Sequence, residues 1–404
     1  MTAVWTRITA RPRTPLVLLG LLSIASFGAR IFRLDQPNAL IVDERVYVNA
    51  ARAIAGVAVP AGQLYSDAPA GHDPNYAHPP LVKVIIALGI RLFGDNPVGW
   101  RAGSVLFGSL ALLAMFWLVR AAGGNRWLAL GGAALMAVDN LLLVLGRVGM
   151  LEIVVLTFML ASVALYLQRR YLLAGVVLGI GALAKLTAWD VLFIILLIEV
   201  GQVLAARWSS AEGETMHVRT RLRGLVMLTA GALVTYLAAL GLFDLELTGY
   251  RNPVAHTVFM FQALASPRGP SPSLADPHRD FSSPAWAWLL NDGGINFWHR
   301  NQVVYSPSGD IVATRPVIAM VSNMNPFIIF LAIPAFGAAL HAGWRERDRV
   351  ALLAAAWCVG SFGPFLFLSA VLQRTRFQYY MAIVMPGIYI AIALLFAARR
   401  LPRA

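Results

Sequence analysis

The sequence predicts an all-α protein that crosses a membrane about ten to eleven times. Of its 404 residues, 58% are hydrophobic and 13% are charged, and the mean hydropathy is +0.67. Soluble domains carry about 25% charged residues, so this composition is typical of an integral membrane protein. Apolar runs of about 20 residues, the length that spans a bilayer, recur along the whole chain. The chain is therefore interpreted as one integral-membrane domain over residues 1–404.

The candidate spans follow one another closely. Their ranges are about 16–34, 102–119, 127–146, 148–168, 224–243, 317–340, 350–372 and 379–398. Lys185 and Asp190 interrupt the further apolar region 171–206, which predicts two short helices that meet in a turn. These ranges give ten spans.

One apolar run, Leu81–Phe93, is too short to cross a bilayer of about 30 Å at 1.5 Å per residue. If it lies along the membrane, the arginine clusters between spans all fall on the side of the N-terminal arginines. Such clusters mark the cytoplasmic side of membrane proteins. This charge asymmetry favours a juxtamembrane position for Leu81–Phe93. Two long loops then lie outside a plasma membrane, the first at about 35–100 and the second at about 244–316.

Other protein classes lack support. The net charge is +13, and the basic residues stand in short clusters between apolar runs. This pattern is typical of membrane-protein loops and does not favour nucleic-acid binding. Cys358 alone cannot form a disulfide framework. The P-loop, G-x-G-x-x-G and H-E-x-x-H patterns are missing, which disfavours nucleotide hydrolysis and zinc peptidase activity. No ligand cluster assigns a metal site and no cofactor is assigned, and weak recruitment of Mg²⁺ or Mn²⁺ by an acid pair beside a phosphate stays open.

The first candidate site is the acid pair Asp43 and Glu44 in IVDERVYVNAARAI. The apolar and small residues at positions 46, 50, 53 and 54 fit one face of a short helix. Both acids then lie at its N-terminal end, where the helix dipole favours negative charge. On this pattern alone the pair is either an ordinary helix start or a reaction centre.

Further ionisable residues fall at external turns of the same topology. The segments AHPPLVK, LGRVGMLE, LAKLTAWD and QRTRFQYYM carry them. A lysine on an interfacial helix, such as Lys83, is often only a surface residue whose ammonium reaches the interface. Charged groups at the mouth of a helical bundle nevertheless usually mark a substrate pathway. In chain order the candidates are His78, Lys83, Arg147, Glu152, Lys185, Asp190, Arg374 and Arg376.

Acids and cations that converge on one membrane face suit one kind of chemistry. The cations would stabilise the negative charge that develops as a phosphate leaves a lipid carrier. A carboxylate would remove the proton from an attacking hydroxyl. The pattern therefore favours displacement of a lipid-linked phosphate.

The order of the motifs resembles the protein O-mannosyltransferase family of membrane glycosyltransferases, which belongs to the C superfamily. The likeness covers nearly the whole chain and is far more specific than any single motif. After the acid pair it comprises HPPLVK, WRAGSVLFGSL, GRVGMLE, GIGALAKLTAWDVLF, SSPAWAWLL, ATRPV, SNMNPFIIFLAIPAF and RFQYYMAIVMP.

This resemblance implies inverting transfer of a hexose, mannose in the family, from a polyprenyl-phosphate donor to a protein Ser or Thr hydroxyl outside the membrane. It implies Asp43 as the catalytic base with Glu44 beside it. The residues expected to face the donor phosphate are Arg147, Lys185, Arg374, Arg376 and Lys83. The remaining members of the expected site are His78, Glu152 and Asp190.

Two alternatives stay open. The family usually has Asp where this chain has Glu152, and the loop 244–316 has no room for the large carbohydrate-binding domain of eukaryotic members. The acceptor could therefore be a glycolipid or a cell-envelope polysaccharide, and a bacterial plasma membrane is the expected location. A lipid-carrier transporter without chemistry would instead show internal repeats and binding groups near the bilayer midplane, and no repeat is evident.

Overall fold

The structure is a computed structural model that describes residues 13–207, 218–265, 282–292, 294–372 and 376–398. Helices account for most of these residues. The α-helices are α1 Thr14–Ile31, α2 Glu44–Ala55, α3 Leu81–Phe93, α4 Pro97–Ala121, α5 Arg126–Val138, α6 Asn140–Leu145, α7 Glu152–Leu167, α8 Tyr171–Ala184, α9 Asp190–Arg207, α10 Val218–Leu247, α11 Pro253–Ala265, α12 Ala285–Trp288, α13 Pro326–His341, α14 Arg349–Ala370 and α15 Met385–Ala398. The strands are β1 Ser282–Ser283, β2 Asn296–Tyr305, β3 Ile311–Val321 and β4 Arg376–Phe377.

The helices confirm a polytopic membrane fold. Within the described ranges, six helices are long and apolar enough to cross a membrane. They begin at Thr14, Pro97, Leu186, Val218, Pro326 and Arg349. Four shorter apolar helices begin at Arg126, Glu152, Tyr171 and Met385; the first three lie between the long helices in the chain, and the last follows them. These ten apolar helices begin within, or a few residues from, the predicted apolar regions.

Glycines allow two of these helices to approach closely. Helix α8 packs along α10. A side chain at Gly175 of α8 would collide with the carbonyl of Leu228, and one at Gly179 with the carbonyl of Ala232. Small residues at such contacts are the usual way for membrane helices to pack, because lipid supplies no hydrophobic force between them. This contact fixes the end of α8, where Lys185 follows.

The first long loop holds the two predicted short helices. Leu81–Phe93 forms α3 with the expected bounds, and its position relative to the bilayer stays a prediction. Helix α2 begins at Glu44 and ends at Ala55, and the following Gly56 takes the left-handed conformation with φ 72°. Glycine suits this C-terminal position since it has no Cβ to clash. Helix α2 packs on α3, and α3 packs on α4.

The chain direction defines two ends of the bundle. Helices α7 and α9 begin, and α8 ends, at the end that carries Asp43, which we call the Asp43 end. The turn between α7 and α8, with Arg169 and Arg170, lies at the opposite end, here the Arg169 end. Connections that carry Arg126 and Arg349 also lie there. The basic clusters therefore gather away from Asp43.

The second long loop differs from the prediction. Strands β2 and β3 form an antiparallel hairpin with Asn296 opposite Val321. Residues 317–321 were expected to begin a span, but they belong to β3 and α13 begins only at Pro326. A short apolar run fits a strand as well as a buried helix, which explains the error.

Most of the aromatic residues at the end of this loop pack against the helices. Trp288 and Phe297 are buried, whereas Trp286 is 51% exposed. The Trp288 ring meets Phe365 of α14 edge to face at 5.6 Å, and its indole N–H donates to Ser283 Oγ at 3.0 Å. Trp298 is partly buried against the same core. These rings therefore join the loop to the bundle.

Candidate active site

A buried ion pair holds the segment before Asp43. Glu44 and Arg101 are 0% and 1% exposed. Arg101 Nε and Nη2 donate to the two Glu44 carboxylate oxygens at 2.8 and 2.9 Å. The other Arg101 donations go to the carbonyls of Leu34, Pro37 and Ala39. One guanidinium, with its fixed fork of donors, thus organises the whole turn from Leu34 to Glu44.

Glu44 also joins this turn to a second loop. Its Oε1 accepts the backbone N–H of Gly149 at 2.9 Å, and its Oε2 accepts that of Ile41 at 3.1 Å. Both carboxylate oxygens are therefore bonded within the protein. Glu44 thus holds the segment that carries Asp43, and the part in catalysis expected of it stays a prediction.

Asp43 lies at the junction that this network fixes. The preceding residue, Val42, has φ 48°. A β-branched residue in the left-handed region is a genuine outlier, and such strain tends to occur at functional sites. Asp43 Oδ2 accepts a hydrogen bond from the Tyr379 hydroxyl at 2.7 Å, although 336 positions separate the two residues. This hydrogen bond connects the segment before α15 to the first long loop.

Lys185 forms the cationic part of the same site. Its ammonium pairs with Glu152 Oε1 at 2.6 Å and lies 4.0 Å from the centre of the Tyr380 ring. The Tyr380 ring in turn meets the Tyr379 ring edge to face at 4.9 Å. These contacts connect Asp43, Glu152, Lys185, Tyr379 and Tyr380, which we call the Asp43 cluster.

The ends of the helices determine where these side chains lie. Helix α8 ends where Lys185 takes an extended conformation, with φ −161° and ψ 139°. A short 3-10 helix, Leu186–Trp189, follows before α9 begins at Asp190. Glu152 is the first residue of α7, and Tyr379 and Tyr380 lie in the 3-10 helix Gln378–Ile383 before α15. Every member of the Asp43 cluster therefore lies at a helix terminus or in a connection.

The surroundings set the protonation states of two members. Burial alone would lower the pKa of Lys185, but the carboxylates of Glu152 and Asp43 and the Tyr380 phenol outweigh it and raise the pKa. Burial and the nearby Asp43 raise the pKa of Tyr379 well above its ordinary value. Lys185 therefore remains a cation, and Tyr379 keeps the proton that it donates to Asp43.

Several buried acceptors beside the Asp43 cluster lack a protein donor. Among the described residues, Glu152 Oε2, Asp190 Oδ2 and Gln378 Oε1 make no hydrogen bond. Asp190 is 9% exposed, and Lys185 lies near enough to interact with it electrostatically. Buried polar atoms are almost always bonded, so an exception needs an explanation.

Arg147 has a different environment from the one expected. Its guanidinium donates to the carbonyls of Ala29, Phe32 and Arg33, the closest at 2.6 Å. A cation at the C-terminal end of a helix satisfies exposed carbonyls and opposes the helix dipole. Arg147 therefore ties α1 to the turn between α6 and α7, and its role toward the donor phosphate stays a prediction.

Lys83 is not the surface residue that its place on an interfacial helix suggested, because it is completely buried. The resemblance left its role either architectural or on the donor side. Its ammonium pairs with Asp73 and donates to the carbonyls of Asn75 and His78. Burial lowers the pKa of Lys83, and Asp73 opposes that shift. These three contacts match the three ammonium donors and organise the loop, and a role toward the donor phosphate stays a prediction.

The other predicted residues have separate positions. The His78 ring meets the ring of Tyr47, on α2, edge to face at 5.7 Å. Arg376 pairs through its backbone with Ser283. The Arg376 side chain and the whole of Arg374 lie outside the described residues. No group of three or more His, Cys, Asp or Glu suited to a metal ion occurs among the residues searched, which were the described ones.

The sequence interpretation missed Arg101 and both tyrosines. Arg101 directly precedes the predicted span 102–119, and an arginine at that point was an ordinary interface residue by pattern. The tyrosines stand in the quoted segment QRTRFQYYM, where two adjacent polar aromatics at the start of a span were the available signal.

Solved structures share this fold. ArnT from Cupriavidus metallidurans in its apo state superposes with a TM-score of 0.56 at 17% identity, over 96% of this chain and 60% of ArnT. The Archaeoglobus fulgidus oligosaccharyltransferase in its apo form superposes with a TM-score of 0.50 at 14% identity, over 96% of this chain. This chain spans about half the length, 51%, of that archaeal protein.

Sequence relatives point to a narrower group. Residues 93–241 match the family described as dolichyl-phosphate-mannose-protein mannosyltransferase. The polyprenol-phosphate-mannose–protein mannosyltransferase of Corynebacterium glutamicum is 23% identical over 381 residues, 80% of this chain and 71% of the relative. The enzyme of the same name from Mycolicibacterium smegmatis is 23% identical over 383 residues, 80% of this chain and 72% of the relative.

The fold and the site together define a polytopic membrane protein whose helical fold is shared with ArnT and the archaeal oligosaccharyltransferase. Its clustered carboxylates, lysine and tyrosines lie together at one end of the helical bundle. Within that class the chain is similar, over residues 93–241, to the dolichyl-phosphate-mannose-protein mannosyltransferase family, and at 23% identity to the mannosyltransferase of Corynebacterium glutamicum.

Replacement of Arg101 by Met tests the positioning network. The change leaves the buried Glu44 carboxylate unpaired, so we expect a loss of about 3–5 kcal/mol in stability. Thermal unfolding of the purified protein in detergent measures the loss. Arg45→Met is the matched control, because it removes an exposed arginine from α2, the helix that begins at Glu44. An Arg101→Met protein as stable as the control would contradict the role given to this ion pair.

Proposed function

We propose that this chain is an inverting glycosyltransferase that moves a hexose from a polyprenyl-phosphate donor to a hydroxyl on the outer side of the membrane. The observation that carries the proposal is the Asp43 cluster, in which a carboxylate held by a tyrosine faces a lysine kept charged by Glu152. Mannose is the proposed sugar because the named relatives use polyprenol-phosphate-mannose.

The reaction assigns one role to each group. The Asp43 carboxylate takes the proton of the acceptor hydroxyl as its oxygen attacks the anomeric carbon. The bond from that carbon to the phosphate oxygen breaks, and its electron pair leaves with the polyprenyl phosphate. Attack from the side opposite to the leaving group inverts the anomeric configuration. Tyr379 holds the carboxylate in the direction that this attack requires.

Lys185 stabilises the departing phosphate. A fixed cation in a water-poor site opposes the negative charge that builds on the leaving oxygens without reorganisation of solvent. Glu152 and Tyr380 hold the ammonium in place before the donor binds. The unbonded acceptors of Glu152, Asp190 and Gln378 would receive hydrogen bonds from the sugar hydroxyls.

Protein Ser or Thr is the proposed acceptor, since the named relatives are protein mannosyltransferases. Transfer to a glycolipid or cell-envelope polysaccharide is the second candidate. Carrier transport without chemistry is disfavoured because the ionisable groups gather at one end of the bundle rather than at its middle. The arginines at the Arg169 end support a bacterial plasma membrane with Asp43 outside.

Asp43→Asn should abolish transfer, with a rate reduced at least about 10²–10⁴-fold because the base is lost. Purified protein is incubated with labelled polyprenyl-phosphate-mannose and separate peptide, glycolipid and polysaccharide acceptors. The exposed Asp35→Asn is the matched control and should retain activity. Wild-type activity in Asp43→Asn would end the assignment of the base. Label on lipid or polysaccharide but on no peptide would overturn the protein acceptor alone.

Tyr379→Phe should lower the transfer rate about 10- to 100-fold while the ring packing stays. The lost hydrogen bond to a charged group is worth about 1.5–3 kcal/mol, and about 1.4 kcal/mol corresponds to a factor of ten. Tyr380→Phe is the control, because its ring still covers Lys185 and its hydroxyl is not the one bonded to Asp43. Equal rates in the two variants would contradict the positioning of Asp43 by Tyr379.

Lys185→Gln should reduce kcat/KM for the donor about 100-fold or more through loss of phosphate stabilisation. The single change also leaves Glu152 without its cation, so the double variant Glu152→Gln/Lys185→Gln is measured beside it. The double variant should stay as slow as the single one. Recovery of the wild-type rate in the double variant would show that Lys185 serves only to neutralise Glu152.

A further inference from the structure

A cavity of about 480 Å³ opens at the Arg169 end, far from the Asp43 cluster. This volume is within the usual range for small-ligand sites. Parts of α4, α7, α8, α9, α10 and α14 line it. Its charged lining residues are Arg169, Glu199, Arg221 and Arg349. We call it the Arg169 pocket.

A network of buried side chains forms the inner wall of this pocket. Glu199 is 7% exposed, and its Oε1 accepts the Tyr166 hydroxyl at 2.9 Å. Its Oε2 pairs with Arg221, whose Nη1 also donates to Gln202 Oε1 at 2.7 Å. The guanidinium is thus held in one place by two polar partners. Such preorganisation lowers the entropy lost when a ligand binds.

The charge of the pocket favours an anion. Three arginines against one glutamate leave two net positive charges on the lining. Arg169 and Arg349 are exposed at its mouth. Helix α8 begins at the lining residue Tyr171 with no acid in its first turn and no side-chain cap. The positive end of its dipole and its free N–H groups therefore add to the attraction.

We propose that the Arg169 pocket binds a phosphate group, the chemistry shared by the head group of an anionic lipid and inorganic phosphate. Arginine suits this ligand because its planar fork of donors matches two phosphate oxygens. The pocket is distinct from the donor site: α7 is 16 residues long and separates Glu152 from it by roughly 22 Å at 1.5 Å per residue. The inference does not depend on the proposed transfer reaction.

The test uses the full chain purified in a neutral detergent. Dihexanoyl phosphatidic acid, dihexanoyl phosphatidylcholine and inorganic phosphate are titrated separately, and binding is followed by calorimetry. We expect saturable binding of phosphatidic acid that is at least about 10-fold tighter than that of phosphatidylcholine. Comparable binding of inorganic phosphate identifies the free anion as sufficient, whereas binding of phosphatidic acid alone identifies a lipid head group.

Two double variants show whether this binding occurs in the Arg169 pocket. Arg169→Gln/Arg349→Gln should weaken binding at least about 10-fold, since both arginines lie at the mouth. Arg170→Gln/Arg345→Gln removes the same charge from exposed positions outside the lining, and it should bind as the wild type does. Unfolding temperatures check that both proteins are folded. Failure of the wild type to bind either phosphate compound, or equal weakening in both variants, would overturn the proposal.

Discussion

The buried pair of Arg101 and Glu44 is the contact on which the rest of the site depends. A charge taken out of water is tolerated only with a partner and further hydrogen bonds. Here the guanidinium binds one carboxylate and three carbonyls, and the carboxylate also accepts two backbone N–H groups. Together these contacts join the first loop, α4 and the turn before α7. They also fix the position of Asp43, because it is adjacent to Glu44 in the chain.

The Asp43 cluster combines groups from distant parts of the chain. Asp43 comes from the first loop, Glu152 from the start of α7, Lys185 from the end of α8 and Tyr379 from the last loop. Helix ends supply these groups because side chains at a terminus can leave the apolar surface of the bundle. The carboxylates and the lysine are thereby gathered at one end of the bundle, the arrangement on which the proposed reaction rests.

Sequence reasoning recovered the parts of this arrangement that follow from local pattern. Hydropathy located α3, and the interruption of an apolar run located Lys185. The hairpin at β2 and β3 was missed because the apolar run 317–321 has the composition of a span. Lys83 was placed on a surface because nothing local reveals its pairing with Asp73. Tyr379 escaped notice for a similar reason, as its contact with Asp43 bridges 336 positions.

An experimental structure of the full chain with polyprenyl phosphate bound tests the central claim most directly. The proposal predicts a phosphate oxygen about 3 Å from Lys185 Nζ, with the Asp43 carboxylate facing the same space and still bonded to Tyr379. A phosphate bound only by other cations, such as Arg147, with Lys185 still enclosed by Glu152 and Tyr380, would contradict it.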